Sequence, residues 1–473
     1  MPEKFLIGNK LCESDNVKKI INPYNNEAVY EYYSASEKHF SESADYLTSA
    51  FEKYKNVPAY VRAEMLYKIS QSLANEKERF AQIITKETGK PVKLSRIEVD
   101  RAVLTFRLGA EEAAKIYGNV LPLDLLPGSE KKQGIVKRFP IGLILGITPW
   151  NFPINLVAHK VSPALASGNV IMIKPSSNSV VCAMELGKLI HKICGEMKLD
   201  FCPINVLPLS GKDIDAFVAD SRIKMVSFTG SSDVGWNLKK KMNRQRISLE
   251  LGGNAGVIVD ETDDIDSTAM KLMIGGFSAA GQSCISVQRI YINEKIYDKM
   301  RQSLTSQANK IKFGNPYEDD TLVGPMITED EAKRAEAWVN EAENAGAKIL
   351  FGGKRHCAVL EPAIIENAGN ELNVKCNEVF APVITIEKYS SFEKAVDEIN
   401  NSRFGLQAGV FTNDVRKIMY AYENIQTGGV IINDVSAYRM DSMPYGGVKD
   451  SGNAREGVSY AIKEMTEEKI LVM

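Results

Sequence analysis

Several features are missing from this chain of 473 residues, and each absence removes a class of function. No apolar run approaches the roughly 18 residues that a membrane span requires, and the longest, such as Ile141–Ile147, fall far short. The first nine residues carry charges and no apolar core of the secretory kind, so a cytoplasmic location is expected. Charge of either sign is not in excess: 58 Lys and Arg stand against 60 Asp and Glu. That balance gives no general affinity for nucleic acid. Histidine is scarce, with four in the chain and no HExxH, and the seven cysteines (12, 182, 194, 202, 284, 357, 376) form no CxxC pair. No metal site and no disulfide framework is expected from such spacing; free thiols in a reducing compartment are. A GxGxxG loop is also absent, so any dinucleotide must be held by another phosphate-binding device.

What is present is globular, with 44% hydrophobic and 25% charged residues. The length suits two large domains or three ordinary ones. Apolar residues three or four apart predict helices through Glu37–Tyr117, punctuated at Gly89, Lys90 and Pro91. Between Gly118 and Arg138 short alternating runs flank Pro127-Gly128, which predicts a hairpin or an excursion from the main body. From Pro140 onward, β-rich runs (GLILGITP, NVIMIKPS, MVSFTG, AGVIVD) alternate with helical stretches, as in a parallel sheet covered on both faces. A second alternation starts near Ser267, with strands around 287–292, 382–387 and 429–433, and the chain closes on a helix followed by a strand.

Four short segments carry chemistry. In Phe228–Gly235 (FTGSSDVG) a strand runs through small residues into a helix start, whose free N–H groups favour an anion. Cys284 sits in the small, polar context GQSC, whereas Cys182 and Cys194 fall at apolar spacings in a predicted helix. A nucleophilic thiolate needs such access together with donors for the oxyanion it creates. Glu250, in SLELGGN, is a carboxylate in an apolar run, a setting that raises a pKa and suits a general base. Asn151, between Trp150 and Phe152 in TPWNFP, offers an amide as an oxyanion donor. Taken singly, Phe228–Gly235, Cys284 and Glu250 are better explained by an ordinary turn and cap, an inert buried thiol and a solvated carboxylate, and Asn151 has the alternative of a turn asparagine between core aromatics.

Taken together, TPWNFP, FTGS, ELGG and GQSC, followed by EVFAPV at Glu378–Val383, stand in an order that resembles the aldehyde dehydrogenase superfamily across nearly the whole chain. The resemblance implies an α/β fold with a Rossmann-like cofactor domain (1–117 and 141–252), an α/β catalytic domain (253–450) and a β oligomerisation arm (118–140 and 451–473). It implies that Cys284 attacks an aldehyde, that Asn151 holds the oxyanion, and that Glu250 activates the water that hydrolyses the thioester. Because acylating branches lack that glutamate, water rather than coenzyme A is the expected acceptor. For the cofactor it implies roles for Trp150, Lys174, Ser176, Gly230, Ser231, Glu378 and Phe380.

In KPSSNS this chain has Ser177 where many NAD-dependent members have glutamate. A serine removes the repulsion of a 2′-phosphate, so NADP is the preferred cofactor and NAD the alternative. The loop VSAYRMDSMPYGG and the Ala158–Lys160 segment look most like lactaldehyde dehydrogenases, with succinate-semialdehyde types near. The expected substrate is a small hydroxylated or anionic aldehyde such as lactaldehyde, succinate semialdehyde or glyceraldehyde, read by Arg107, His159 and Arg439. The arm implies a homodimer or homotetramer. The competing reading is a cofactor-independent thiol hydrolase or acyltransferase built on Cys284 and Glu250.

Overall fold

The computed structural model describes residues 1–211 and 214–473. Two parallel sheets organise the chain. The first has five strands in the spatial order Arg246–Glu250, Ile223–Thr229, Leu143–Ile147, Val170–Lys174, Ile204–Val206, every neighbouring pair parallel. Leu143–Ile147 and Val170–Lys174 are buried at every residue, because parallel strands need helical crossovers that cover both faces. This explains why these segments read as continuous apolar runs rather than alternating ones.

The second sheet has seven strands in the order Lys348–Phe351, Ala363–Glu366, Val383–Tyr389, Val287–Asn293, Ala255–Val259, Gln407–Phe411, Gly429–Ile432. Only the edge strand Lys348–Phe351 runs antiparallel to its neighbour. Each sheet has its own hydrophobic core. The predicted N-terminal helices form as Glu37–Tyr54, Ala59–Asn75, Lys77–Thr88 and Val92–Ala113. They share the core of the first sheet. Gly89 ends the third of them at φ 69°, and a Cβ there would run into the Pro325 ring. Glycine is required on both counts.

The excursion is a hairpin of Asn119–Pro122 and Gln133–Pro140, extended by the C-terminal strand Thr466–Val472 into a three-stranded antiparallel sheet. The preceding helix Val458–Glu464 does not join this arm as the sequence had suggested. It buries Val458 and Ile462 in the first core, because an amphipathic helix needs a large apolar surface to cover its stripe and the narrow arm offers none.

Strand ends set the location of chemistry. Pro149–Asn151 follow Ile147, Gly230 and Ser231 follow Thr229, and Glu250 ends the strand Arg246–Glu250, all at carboxyl ends of the first sheet. Glu250 is followed by only four residues before Ala255 opens the second sheet. The two sheets therefore meet at Glu250 through Leu251-Gly252-Gly253-Asn254.

The turn bearing Asn151 is held from below by Glu98. Its Oε1 accepts the N–H groups of Ile154 (3.0 Å) and Asn155 (3.3 Å), its other oxygen pairs with Lys90, and Lys90 Nζ sits 3.9 Å above the Phe152 ring. Both charged groups are buried. Glu98→Ala strands the Lys90 charge and both amides, and should cost about 3–5 kcal/mol in chemical denaturation. Glu98→Gln retains an acceptor and should cost less; equal, sub-kilocalorie losses for both would contradict this role.

Candidate active site

Cys284 reaches its position through an unusual turn. After the helix Ile265–Phe277, the residues Ala279, Ala280 and Gly281 take φ values of 52°, 57° and 64°. A left-handed alanine costs roughly 1–2 kcal/mol, so the surroundings must enforce the turn. Gln282 is one such constraint: its Nε2 donates to the Ala279 (3.1 Å) and Pro325 (3.3 Å) carbonyls, and its Oε1 accepts the Ile327 N–H at 2.8 Å. The turn delivers Cys284 to the wall of a cavity of about 460 Å³. None of the other six cysteines lines that cavity; Cys12, Cys182, Cys194 and Cys202 are buried elsewhere.

Asn151 and Glu250 line the same cavity. Asn151 Nδ2 donates to the Gln282 carbonyl at 3.0 Å, which fixes the amide beside the loop bearing Cys284 and leaves its second N–H free to donate. Glu250 is buried, and neither carboxyl oxygen has a hydrogen-bond partner. Burial pushes its pKa well above the usual carboxylate range, reinforced by the nearby charge of Glu456 and opposed by Arg439 and Lys160. Gly446 passes so close that any side chain there would meet the Glu250 carboxyl. Burial likewise pushes the Cys284 thiol up to about 11, against a hydrogen bond from Tyr445.

The other end of the cavity fits a dinucleotide. Gly230 and Ser231 precede the helix Ser232–Lys241, whose first helical bond is Gly235 N–H to Ser231 O, so the amides between them are free of helical partners. Glu378 accepts the Gly253 N–H at 2.9 Å, and burial lifts its carboxyl to about 7. Trp150 and Phe380 meet edge to face at 5.8 Å, with Phe380 in the left-handed region at φ 50°. In the KPSSNS loop, Asn178 lines the cavity. Lys174 is buried at the strand end, Ser176 is half-buried and Ser177 exposed, all three beside the cavity rather than on its wall.

Of the three expected substrate readers, one lines the cavity. The Arg439 side chain is largely covered there, its Nη2 2.9 Å from Glu456 Oε2 and its guanidinium 3.7 Å above the Tyr445 ring. His159 lies beneath: its Nε2 bonds Asp441 Oδ1 at 2.8 Å and sits 3.3 Å from Arg439 Nη2. Burial, then Arg439, depress its pKa, so it is a neutral support for the loop rather than a wall residue. Arg107 is away from the cavity altogether, exposed and 3.9 Å from Glu111. The arginine that lines the wall from that helix is Arg101, bound to Asp441 through Nη2–Oδ1 at 2.7 Å and Nε–Oδ2 at 3.1 Å. Six residues turn an α-helix by about 600°, which sets Arg107 on a different face from Arg101.

Arg101, Tyr445, Glu456, Lys160 and Gln282 were not singled out by the sequence. Lys160 had a usable signal: it is a lysine inside the apolar stretch Asn155–Ser167, every residue of which is buried. Its Nζ donates to Ser227 Oγ (3.0 Å) and Thr229 Oγ1 (2.8 Å) and lies 3.5 Å from Glu456 Oε1. Burial opposes ionisation of Glu456, but Lys160 and Arg439 more than reverse it and hold the carboxyl at about 2. Among the described residues no helix is long and apolar enough to cross a membrane.

The model of the aldehyde dehydrogenase family matches residues 12–471. A 3-sulfolactaldehyde dehydrogenase of Priestia aryabhattai is 40% identical over 457 residues, covering 96% of this chain and 94% of its own. The crystal structure of aldehyde dehydrogenase 21 from Physcomitrella patens in complex with the reaction product succinate superposes with a TM-score of 0.96 at 43% identity, over 100% of this chain and 98% of that one. A glyceraldehyde-3-phosphate dehydrogenase from Methanocaldococcus jannaschii complexed with NADP does so at 0.92 and 37%, over 97% and 100%. With the motifs gathered around one cavity and the family model spanning nearly every residue, the chain belongs to the aldehyde dehydrogenase family.

Proposed function

We propose that this enzyme oxidises a small anionic or hydroxylated aldehyde to its carboxylic acid through a thioester on Cys284 that water hydrolyses. The observation that carries this reading is the convergence of Cys284, Asn151 and a partnerless, buried Glu250 on one cavity. The Cys284 thiolate attacks the aldehyde carbon, a C–S bond forms, and the carbonyl electron pair moves to oxygen, where the spare N–H of Asn151 donates. Bound NAD(P) supplies the hydride acceptor. With the acyl group on sulfur, Glu250 in its ionised form takes a proton from water while the water oxygen attacks the acyl carbon. The C–S bond then breaks, which restores the thiolate and releases the acid. A hydrolase without a redox cofactor leaves Gly230, Glu378 and the Trp150–Phe380 pair without a role.

The side chains around Arg439 favour an anionic substrate. Arg101 and Arg439 both line the cavity at this end, the first paired with Asp441 and the second with Glu456. The names of the Priestia and Physcomitrella proteins, which involve sulfolactaldehyde and succinate, support the same class. For the cofactor, NADP is preferred: Ser177 is exposed beside the cavity and carries no charge to repel a 2′-phosphate, and the Methanocaldococcus structure holds NADP.

The active form is a homodimer or homotetramer. The arm exposes Val120, Leu121, Leu125, Ile470, Leu471 and Val472, more apolar surface than an isolated arm should show to water. The strand Gly429–Ile432 is an open edge of the large sheet, and Thr466–Val472 an open edge of the arm. The cofactor domain comprises 1–117 and 141–252 with the helix Val458–Glu464, the catalytic domain 253–450, and the arm 118–140 with the final strand. Seven free cysteines suit a cytoplasmic enzyme.

Four outcomes test these roles. Glu250→Gln should slow deacylation by about 10²–10⁴ and spare acylation, so that stopped-flow traces keep a burst of reduced cofactor before a slow steady state; equal loss in both phases would assign the base elsewhere. Because the Glu250 pKa is raised, its basic form grows as pH increases, and wild-type steady-state turnover should rise with pH over a range above that of an ordinary carboxylate. Arg101→Gln should cut kcat/KM for succinate semialdehyde about tenfold to a hundredfold, the worth of a hydrogen bond to a charged group, with propanal little affected. A parallel loss on both aldehydes would remove Arg101 from substrate recognition. Ser177→Glu should move the NADP to NAD ratio of specificity constants towards NAD by at least about tenfold, one like-charge contact; an unchanged ratio would place the 2′-phosphate away from this loop.

A further inference from the structure

Tyr445 stands in the loop VSAYRMDSMPYGG without a role read from the sequence, yet its hydroxyl oxygen lies 2.9 Å from Cys284 Sγ. The ring has little freedom to move. It packs with Ile285 and Leu406 in a small apolar cluster, carries the Arg439 guanidinium on one face at 3.7 Å, and is tied through its backbone to Glu456 in both directions, at 3.1 and 2.6 Å. A hydroxyl so fixed points its single hydrogen at one partner. Burial keeps the phenol protonated, so it is a donor and not a competing anion. A thiolate has only acceptor capacity, and the pair is therefore best matched when the sulfur is ionised.

The surroundings give that match a purpose. Burial disfavours the thiolate most, the Glu378 and Glu250 carboxyls add to the opposition, and Arg439 assists ionisation from behind the Tyr445 ring. A desolvated sulfur with carboxyls on two sides needs a neutral donor in direct contact. We propose that the Tyr445 hydroxyl is the hydrogen-bond donor that stabilises the Cys284 thiolate before substrate enters, and is thus a further catalytic residue of this enzyme. The inference rests on Cys284 being the nucleophile. Arg439 then serves twice, as the cationic wall of the substrate end and as the cation over the ring, which draws electron density from the phenol and strengthens its O–H as a donor.

The test is the pH dependence of alkylation of Cys284 by iodoacetamide, followed by mass spectrometry of the Cys284 peptide in the full-length enzyme. The thiolate displaces iodide, so the rate reports the ionised fraction. In Tyr445→Phe the midpoint should rise by about one pH unit, making the reaction about tenfold slower below both midpoints and equal to wild type above them. Tyr438→Phe, an exposed tyrosine on the same loop, should leave the midpoint in place. A Tyr445→Phe midpoint equal to wild type overturns the proposal, as does a uniform slowing at all pH values, which would mark a change of access. Cys284→Ser separates the two layers. If it abolishes aldehyde oxidation while the Tyr445→Phe midpoint stays put, only the tyrosine's role is refuted; if it retains wild-type oxidation, the nucleophile itself is misassigned.

Discussion

Glu456 lies between two cations, Arg439 at 2.9 Å and Lys160 at 3.5 Å, and the site depends on this buried triad. Replacing buried ion pairs with apolar residues is often neutral or stabilising, so stability alone does not explain one. Its effect on Glu250 does. Both cations that would otherwise neutralise Glu250 are directed at Glu456, and the Glu250 oxygens are left without partners. Within the triad, Glu456 lifts the Glu250 pKa further, while Arg439 and Lys160 pull it back. A carboxyl paired with Arg439 would be a weak base locked in an ion pair; one left alone in a desolvated pocket takes a proton readily from water.

The triad also ties three distant parts of the chain. Lys160 belongs to the helix Asn155–Ser167 beneath the first sheet, Arg439 to the loop after the second sheet, and Glu456 to the segment leading into the C-terminal helix. Through Asp441 the network continues to His159 and Arg101. The loop 437–445 is consequently held by charge at Arg439 and Asp441 and by backbone bonds between Tyr445 and Glu456, and its Tyr445 faces Cys284 with small positional error. Precision of this kind is what a reacting sulfur needs from its neighbours.

Much of this was legible before any coordinates, for a physical reason. Parallel strands buried on both faces read as apolar runs, and the residues following their carboxyl ends had to lie together, which placed Asn151, Gly230 and Glu250 on one rim. Cys284 was separable from Cys182 and Cys194 because those sit at apolar helical spacings. The substrate end was less legible. Helical periodicity predicts that 92–113 is a helix but not how the helix is rotated about its axis relative to a cavity, so Arg107 and Arg101 were indistinguishable. His159 marked the right segment, yet its ring points into packed polar contacts rather than to the wall. Tyr445 gave no signal, since an aromatic beside Gly-Gly is most often core.

The backbone strain was invisible for a different reason: alanine has no sequence signature for positive φ. Ala279, Ala280 and Gly281 form one left-handed turn and Phe380 another, and the two are in contact, because a Cβ on Gly281 would strike the carbonyl of Ala381. Each strained non-glycine residue costs roughly 1–3 kcal/mol, and such residues persist only where packing over-determines them. Here each turn is the packing that constrains the other. One carries Cys284, and the other places Phe380 against Trp150. The spacing between the sulfur and the cofactor end is therefore set by this backbone contact together with the Gln282 side chain, which suits a reaction whose two halves must share one carbon atom.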